Sequence, residues 1–176
     1  MKRCWGALLT LVLATGLRAD ATPTAAALSS TTATALSPAA GTDAAVAWAF
    51  YLALNQGDQA AQAALLAPDF SSNAALPGLK PGPEGLVDWL AGLRTGFPDG
   101  QVEILDVVAQ GSQVAVRYRF SGTQRGRFLS LRPTRKHASV QGMDLWTVKD
   151  HRLASQSGTL DSLGLLVQLG IAPALH

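Results

Sequence analysis

Asp161 is the carboxylate whose setting in the sequence points most directly to chemistry. It opens the phrase DSLGLLVQLG near the C-terminus, and residues 161–170 contain no other charged side chain. Strand-like alternation precedes it, so we expect Asp161 to lie where a sheet ends and a short helix begins. An acid at such a junction either caps the helix by accepting backbone N–H bonds or transfers protons in an apolar pocket. The sequence leaves both roles open.

Asp144 is a second carboxylate that could take part in acid/base chemistry. It lies in an alternating segment, where it shares a face with Gly142 and Trp146. On a concave face Asp144 is a buried acid in a cavity. On a convex face it is solvated, or paired with Arg117 or Arg119 of the neighbouring strand. The alternation does not decide between the two faces.

The aromatic side chains are expected to form the core, and some of them also line any cavity between helices and sheet. Such a lining predicts a small, largely apolar ligand held by a few polar anchors. Tyr51, near the end of the first predicted helix, is a candidate to supply a hydroxyl, and Trp146 is a candidate lining residue. The histidines at 137, 151 and 176 are scattered without the spacing of metal ligands, so no metal site is predicted.

The N-terminus has the features of an export signal. Two basic residues precede an apolar run from 4 to 17 that is too short to span a bilayer, and residues 19–21 form a small-x-small cleavage pattern. We therefore predict a signal peptide at 1–21 and an Ala/Thr/Ser/Pro-rich flexible linker at 22–42. The expected location is the periplasm of a bacterium or the medium, with no stable membrane span after cleavage. The alternative is an uncleaved anchor, which the missing stop-transfer flanks disfavour.

Loss of the signal also changes the charge of the chain. The full sequence has 14 basic and 12 acidic residues, and removal of residues 1–21 takes three basic residues and one acid, which leaves 11 of each. A chain without net charge offers no basic footprint, so nucleic acid is not an expected partner. The one cysteine, Cys4, belongs to the signal. The mature chain then has no thiol for a disulfide, a nucleophile or a metal site.

The rest of the chain predicts helices first and strands afterwards. Thr42 and Asp43 form a helix start, a second helix is expected at about 58–66, an extended piece at 69–73, and a third helix from Pro83. Period-two alternation begins at Gln101. Strands are expected around residues 102–104, 114–120, 137–148 and 153–159, with a last helix at about 162–169. This order predicts an α+β fold, in which three N-terminal helices pack on a curved, mostly antiparallel sheet followed by a short C-terminal helix.

Several phrases in this order resemble one known family. FYLALNQGD, LLAPDF, SGTQRGRFL and DSLGLLVQLG, with others between them, span about residues 44–170. They are similar to the SnoaL-like polyketide cyclase or ester cyclase domains, whose fold is the cone-shaped α+β barrel of the nuclear-transport-factor-like (cystatin-like) proteins. A shared fold hosts enzymes and binding modules alike, so the resemblance implies the fold more strongly than the activity.

For the cyclase members, the resemblance implies an aldol-type ring closure without metal or organic cofactor. Asp161 stands where the family pattern has a late Asp, which makes it the candidate acid/base. Members commonly have histidine where this chain has Asn73, Gln124 and Gln156. Carboxamides donate and accept hydrogen bonds but do not transfer protons near neutral pH, so these three are expected to orient a ligand instead.

Two functions follow as hypotheses for a domain at 43–172, with residues 173–176 as a tail. In the first, an exported protein binds a small, largely apolar, carbonyl-bearing molecule and catalyses cyclisation, isomerisation or hydrolysis through Asp161. In the second, the same scaffold is a non-catalytic ligand-binding or interaction module, forming a homodimer through the outer face of the sheet. Tyr51, Asn73, Gln124, Asp144, Trp146 and Gln156 are the predicted ligand-binding residues.

Overall fold

A computed structural model of the chain describes residues 37–74, 78 and 80–173. The predicted signal peptide, most of the predicted linker and the last three residues of the tail lie outside the described residues. Within the described ranges, no helix is long and apolar enough to cross a membrane.

The described residues form four helices, three before most of the sheet and one after it. They are α1 (Asp43–Gln56), α2 (Gln59–Leu65), α3 (Gly82–Gly96) and α4 (Ser162–Gln168). The start of α1 is the predicted one, because the Thr42 side chain accepts a hydrogen bond from the Ala45 N–H at 3.2 Å. Gly57 ends the helix with a φ of 71°, a left-handed conformation that favours glycine.

In the part of the chain that the structure describes, five strands form one sheet in the order β1-β5-β4-β3-β2. The strands are β1 (Leu66–Ser72), β2 (Gln101–Gln110), β3 (Gln113–Thr123), β4 (His137–Lys149) and β5 (Arg152–Leu160). Strands β2 to β5 pair antiparallel, and β1 joins β5 in parallel. The extended piece predicted at 69–73 therefore begins earlier, directly after α2. Its partner β5 lies more than eighty residues later in the chain, so local sequence does not reveal the pairing.

The helices cover one face of the sheet, which we call the inner face. Alternate residues of β3 and β4, among them Val116, Val140 and Trp146, are buried on this face. The outer face is exposed and includes Met143 and Leu145. The predicted α+β architecture, with helices on a curved and mostly antiparallel sheet, is confirmed.

Asp144 lies on the inner face, and the arginines suggested as its partners do not. Arg117 pairs with Asp106 at 2.5 Å, and Arg119 pairs with Glu103 at 2.6 Å. In the β2–β3 ladder each acid lies directly opposite its arginine. Both pairs lie on the outer face, because Arg117 and Arg119 alternate along β3 with the buried residues Val116 and Phe120. The suggested ion pair between Asp144 and an arginine is therefore wrong.

Side-chain hydrogen bonds join the C-terminal end of helix α1 to the sheet and to α3. The Asn55 side chain bonds both the N–H and the C=O of Val102 at 2.8 Å each, and Arg94 of α3 donates to the Leu54 and Asn55 carbonyls. These bonds fix the end of α1 against β2 and α3. Tyr51 lies one helical turn before Asn55, so its side chain is directed over the inner face.

Candidate functional site

A cavity opens between helices α1 and α3 and the inner face of the sheet. The space between atoms in the cavity and its mouth is about 610 Å³, of which about 60 Å³ is open to the centre of a water molecule. By the latter measure it has room for a few waters or a small ring. Its walls are mainly apolar and aromatic, with Phe50, Leu86, Trp89, Leu90 and Phe120 among the lining residues.

Asp144 is the one carboxylate among the described residues that line this cavity. Its side chain comes from the middle of β4 and is 5% exposed. Burial away from water disfavours the ionised form and raises the pKa of Asp144 to about 6, although hydrogen bonds from Tyr51 and Gln156 act in the opposite direction. A carboxyl group with this pKa can accept and return a proton near neutral pH.

One hydrogen-bond chain reaches Asp144 from helix α1. The Trp146 indole N–H donates to the Tyr51 hydroxyl oxygen at 3.0 Å, and the Tyr51 hydroxyl donates to the Asp144 Oδ2 atom at 2.6 Å. An indole N–H can only donate, so the direction of the whole chain is determined. Burial and the Asp144 charge raise the pKa of Tyr51 well above its usual range, which keeps the phenol protonated.

A second chain reaches the other oxygen of Asp144 from strand β1. The Ala74 N–H donates to the Ser72 hydroxyl at 3.2 Å, and that hydroxyl donates to the Gln156 Oε1 atom at 3.1 Å. The Gln156 amide must then direct its Nε2 group towards Asp144 Oδ1, which it does at 3.0 Å. Two chains that start at obligate donors therefore end on the two oxygens of one carboxylate. The arrangement orients the carboxylate rigidly and leaves its remaining lone pairs free.

Gly158 provides the space that the carboxylate occupies. It lies directly opposite Asp144 in the β4–β5 ladder. A Cβ atom at residue 158 would overlap Asp144 Oδ1. Glycine weakens a strand interior and often marks a close approach, and here the approaching group is the buried acid.

The structure brings together four of the six predicted ligand-binding residues. Tyr51, Asp144, Trp146 and Gln156 all line the cavity. Asn73 does not: its side chain is exposed, and only its backbone N–H reaches Gln156, at the carbonyl oxygen.

Gln124 is buried but lies away from the cavity. Its Oε1 atom accepts a hydrogen bond from the Thr134 hydroxyl at 2.9 Å. The Gln124 N–H donates to the Lys136 carbonyl oxygen, and the Gln124 carbonyl oxygen accepts from the Arg135 N–H. These two bonds join the ends of the loop that follows β3. Asn73 and Gln124 are thus absent from the lining of this cavity, because residues at strand ends are placed by loop geometry and not by strand parity.

Asp161 lies outside the cavity, at the start of α4. Its side chain is exposed and accepts a hydrogen bond from the Gly164 N–H at 2.8 Å, which is the N-cap arrangement. It is not among the residues that line the cavity. Its catalytic role stays a prediction from the resemblance, and the geometry favours Asp144 as the proton-transfer group.

Sequence reasoning missed Ser72, Tyr118 and Gly158 as site residues. Tyr118 and Gly158 line the cavity, and Ser72 orients Gln156. The one sequence signal for them is the presence of glycine inside β4 and β5, which indicates that another group approaches the strand closely. Within the described residues, no group of three or more His, Cys, Asp or Glu side chains could hold a metal ion.

An open, curved sheet covered by helices, with an apolar cavity and one buried carboxylate between them, defines an α+β cone fold with a small ligand pocket. The family model described as SnoaL-like polyketide cyclase matches residues 45–169, and the chain belongs to this family. A comparison with curated proteins finds no match.

Solved structures of the same fold support this assignment. TsrD from Streptomyces laurentii is 27% identical with a TM-score of 0.65, and the match covers 72% of this chain and 93% of TsrD. IdmH from Streptomyces antibioticus, a proposed polyketide cyclase, is 27% identical with a TM-score of 0.64 and coverage of 73% and 99%. A proposed polyketide cyclase from Bacillus cereus is 25% identical with a TM-score of 0.65 and coverage of 74% and 82%.

Proposed function

We propose that this protein binds a small, largely apolar carbonyl compound and catalyses cofactor-free proton transfer on it, with Asp144 as the acid/base. The observation that carries the proposal is a buried carboxyl group with a pKa of about 6, facing an apolar cavity and held by two directed hydrogen-bond chains. A base works best when its pKa lies near the operating pH and its orientation is set in advance.

The lining of the cavity supports a neutral ligand. None of the described lining residues is Lys or Arg, so a carboxylate or phosphate ligand would meet Asp144 without a compensating cation. Aromatic walls favour a planar or cyclic apolar molecule. The proposed polyketide cyclases among the structural neighbours make a carbonyl-rich substrate the natural choice.

The chemistry follows from one reversible proton transfer. Ionised Asp144 takes a proton from the carbon next to a carbonyl group, the C–H electron pair forms a C=C bond, and the carbonyl π pair moves to oxygen. In cyclisation, the enolate carbon then attacks a second carbonyl carbon of the same molecule, and the new alkoxide takes the proton from Asp144. In isomerisation, Asp144 returns the proton to a different carbon. Either sequence leaves the enzyme as it began, and the same base could activate water for hydrolysis.

A specific observation favours a second candidate, a non-catalytic binding module. Both oxygens of Asp144 already accept a hydrogen bond, and the donor on one side is the Gln156 carboxamide, which does not transfer protons near neutral pH. A carboxylate used in this way can act as a fixed acceptor for a ligand hydroxyl.

The proposal also includes export and formation of a homodimer. The outer face of the sheet exposes Val108, Met143 and Leu145, and this apolar surface suits pairing with a second copy.

The two candidates separate in a hydrogen-exchange experiment that needs no knowledge of the natural substrate. Cyclopentanone and 2-indanone, probes of two sizes, are incubated with the protein in D₂O, and loss of the α-hydrogen signal is followed by NMR. We expect wild-type protein to accelerate exchange for at least one probe. Asp144→Asn is expected to return the rate to that of buffer, because the amide cannot take up the proton.

Two further variants make the result specific. Asp150→Asn is the matched control: it removes a carboxylate from the exposed β4–β5 turn, where the φ of 49° is one that Asn tolerates. Asp161→Asn discriminates between the two candidate acids, because Asn keeps the helix cap but has no carboxylate. Exchange that survives Asp144→Asn and is lost in Asp161→Asn would transfer the catalytic role to Asp161. Saturable probe binding without any exchange would leave the binding module as the function.

A further inference from the structure

Tyr118 presents a hydroxyl to the cavity that no described group uses. Its half-buried side chain lines the cavity from β3, and its ring lies 5.6 Å from the ring of Tyr51. The two tyrosines differ in their bonding. Tyr51 contacts both Asp144 and Trp146, whereas the Tyr118 hydroxyl has no hydrogen-bond partner among the described residues. A phenol in apolar surroundings normally finds a partner, so this O–H is available for water or ligand.

Gly142 leaves the space on the inner face that the Tyr118 hydroxyl occupies. It lies directly opposite Tyr118 in the β3–β4 ladder. A Cβ atom at residue 142 would lie 2.5 Å from the Tyr118 Oη atom, closer than real contacts allow. Any residue other than glycine would therefore displace the hydroxyl.

Two glycines on neighbouring strands allow Tyr118 and Asp144 to lie side by side. Gly142 accommodates the Tyr118 oxygen, and Gly158 accommodates an Asp144 oxygen. Residues 142 and 144 are two apart on β4, so they share its inner face and their backbone positions are roughly 7 Å apart. One small region of the cavity therefore contains a hydrogen-bond donor and a hydrogen-bond acceptor from adjacent strands, each in space left by a glycine.

The donor stays protonated under all ordinary conditions. Burial, and after it the charge of Asp144, raises the pKa of Tyr118 well above its usual range. The two groups therefore have opposite roles, because a neutral phenol donates while an ionised carboxylate accepts.

We propose that the Tyr118 hydroxyl binds the carbonyl oxygen of the substrate and stabilises the negative charge that develops there while Asp144 removes the neighbouring proton. This inference rests on the proposed function of Asp144. As the C–H bond breaks, its electron pair becomes the C=C bond of the enolate, the proton passes to the Asp144 carboxylate, and the oxygen that gains charge accepts a stronger hydrogen bond from Tyr118. The hydroxyl keeps its proton throughout. Because the bond strengthens as charge develops, it contributes more to the transition state than to substrate binding.

The test combines a kinetic and a spectroscopic measurement on Tyr118→Phe. Removal of a donor to a developing oxyanion commonly lowers kcat about 10²- to 10³-fold. For exchange of 2-indanone in D₂O we expect a loss of this size in kcat with little change in KM. The infrared band of 2-indanone labelled with ¹³C at the carbonyl should lie at lower wavenumber when bound to wild-type protein, and should return most of the way to its position in cyclohexane when bound to Tyr118→Phe.

Indane, which has the same rings without the carbonyl, is the matched probe for intact packing. Wild-type protein and Tyr118→Phe should bind it equally, because the hydroxyl makes no bond to the described part of the protein. Loss of indane binding in the variant, or an unchanged carbonyl band together with an unchanged kcat, would overturn the inference.

The outcomes for Tyr118 and Asp144 are distinguishable. Exchange that depends on Asp144 but not on Tyr118 would leave the proposed function in place and remove Tyr118 from it. A carbonyl band that shifts with Tyr118 in a protein without exchange activity would support carbonyl binding by Tyr118 and refute catalysis. If wild-type protein does not bind 2-indanone at all, the inference fails.

Discussion

Replacing Asp144 with Asn should make the protein more stable at alkaline pH and leave it nearly unchanged in acid. The folded structure favours the protonated, neutral form of Asp144, and Asn is the neutral side chain closest to it in shape. The amide can still accept the Tyr51 hydrogen bond through its oxygen. Its NH₂ group can donate to Gln156 once that amide rotates. The substitution therefore removes a buried charge while it leaves the cavity filled.

The size of the effect follows from the pKa of this one group. In the folded protein the pKa of Asp144 is raised from 3.8 to about 6, and each unit corresponds to 1.36 kcal/mol, so ionisation costs about 3 kcal/mol of stability. Stability contributed by the protonated form is fully present below pH 3.8 and is lost as the pH rises through about 6. The gap between Asp144→Asn and wild type should thus be about 3 kcal/mol at pH 8 and about half of that at pH 5.

Urea unfolding at these two pH values, followed by tryptophan fluorescence, measures the gap directly. Asp150→Asn again serves as the control, since the Asp150 side chain lies in an exposed turn. Comparing each variant with wild type at the same pH cancels the contributions of all other carboxyl groups. A less stable Asp144→Asn protein at pH 8, or a gap that is the same at both pH values, would refute the account of Asp144 as a carboxyl group whose charge is disfavoured by burial.

Three more predictions follow from the geometry. The rate of probe exchange should rise with pH through an apparent pKa of about 6 as Asp144 ionises, and a profile flat from pH 5 to 8 would contradict its role as base. Gly158→Ala should lower the free energy of unfolding by about 1–3 kcal/mol, because the added methyl group overlaps the Asp144 carboxylate; in an Asp144→Ser background, urea unfolding should show a smaller loss. Asp161→Ala should lower stability by about 1 kcal/mol through loss of the α4 cap, whereas Asp161→Asn should melt at nearly the wild-type temperature.

Strand parity in the sequence predicted part of the site. Alternation in residues 137–148 placed Asp144 on the same face as Gly142 and Trp146, and the structure confirms that grouping. The pattern could not say which face the helices cover, because both faces of a strand have the same period. The choice between a solvated acid and a cavity acid therefore depends on the positions of α1 and α3, which place Asp144 in the cavity.

For Asp161, local sequence predicted the secondary structure but not whether the side chain reaches the cavity. Its position before an apolar run correctly predicted a strand-to-helix junction, and the cap bond to Gly164 confirms the local structure. Whether a junction residue also reaches a cavity depends on where the cavity lies. The cavity lies under α1 and α3, and Asp161 is not among the residues that line it.

Local order and family were determined by the sequence itself: caps, helical spacing, strand alternation and the α+β order are short-range properties that neighbouring residues encode. Tertiary structure alone decided the chemistry of the site. The hydrogen bond from Ser72 to Gln156 spans 84 residues, and the bond from Tyr51 to Asp144 spans 93. The pKa of Asp144 depends on burial that helices from the other end of the chain produce. Desolvation and long-range hydrogen bonds arise only when distant segments pack together, so no local pattern reports them.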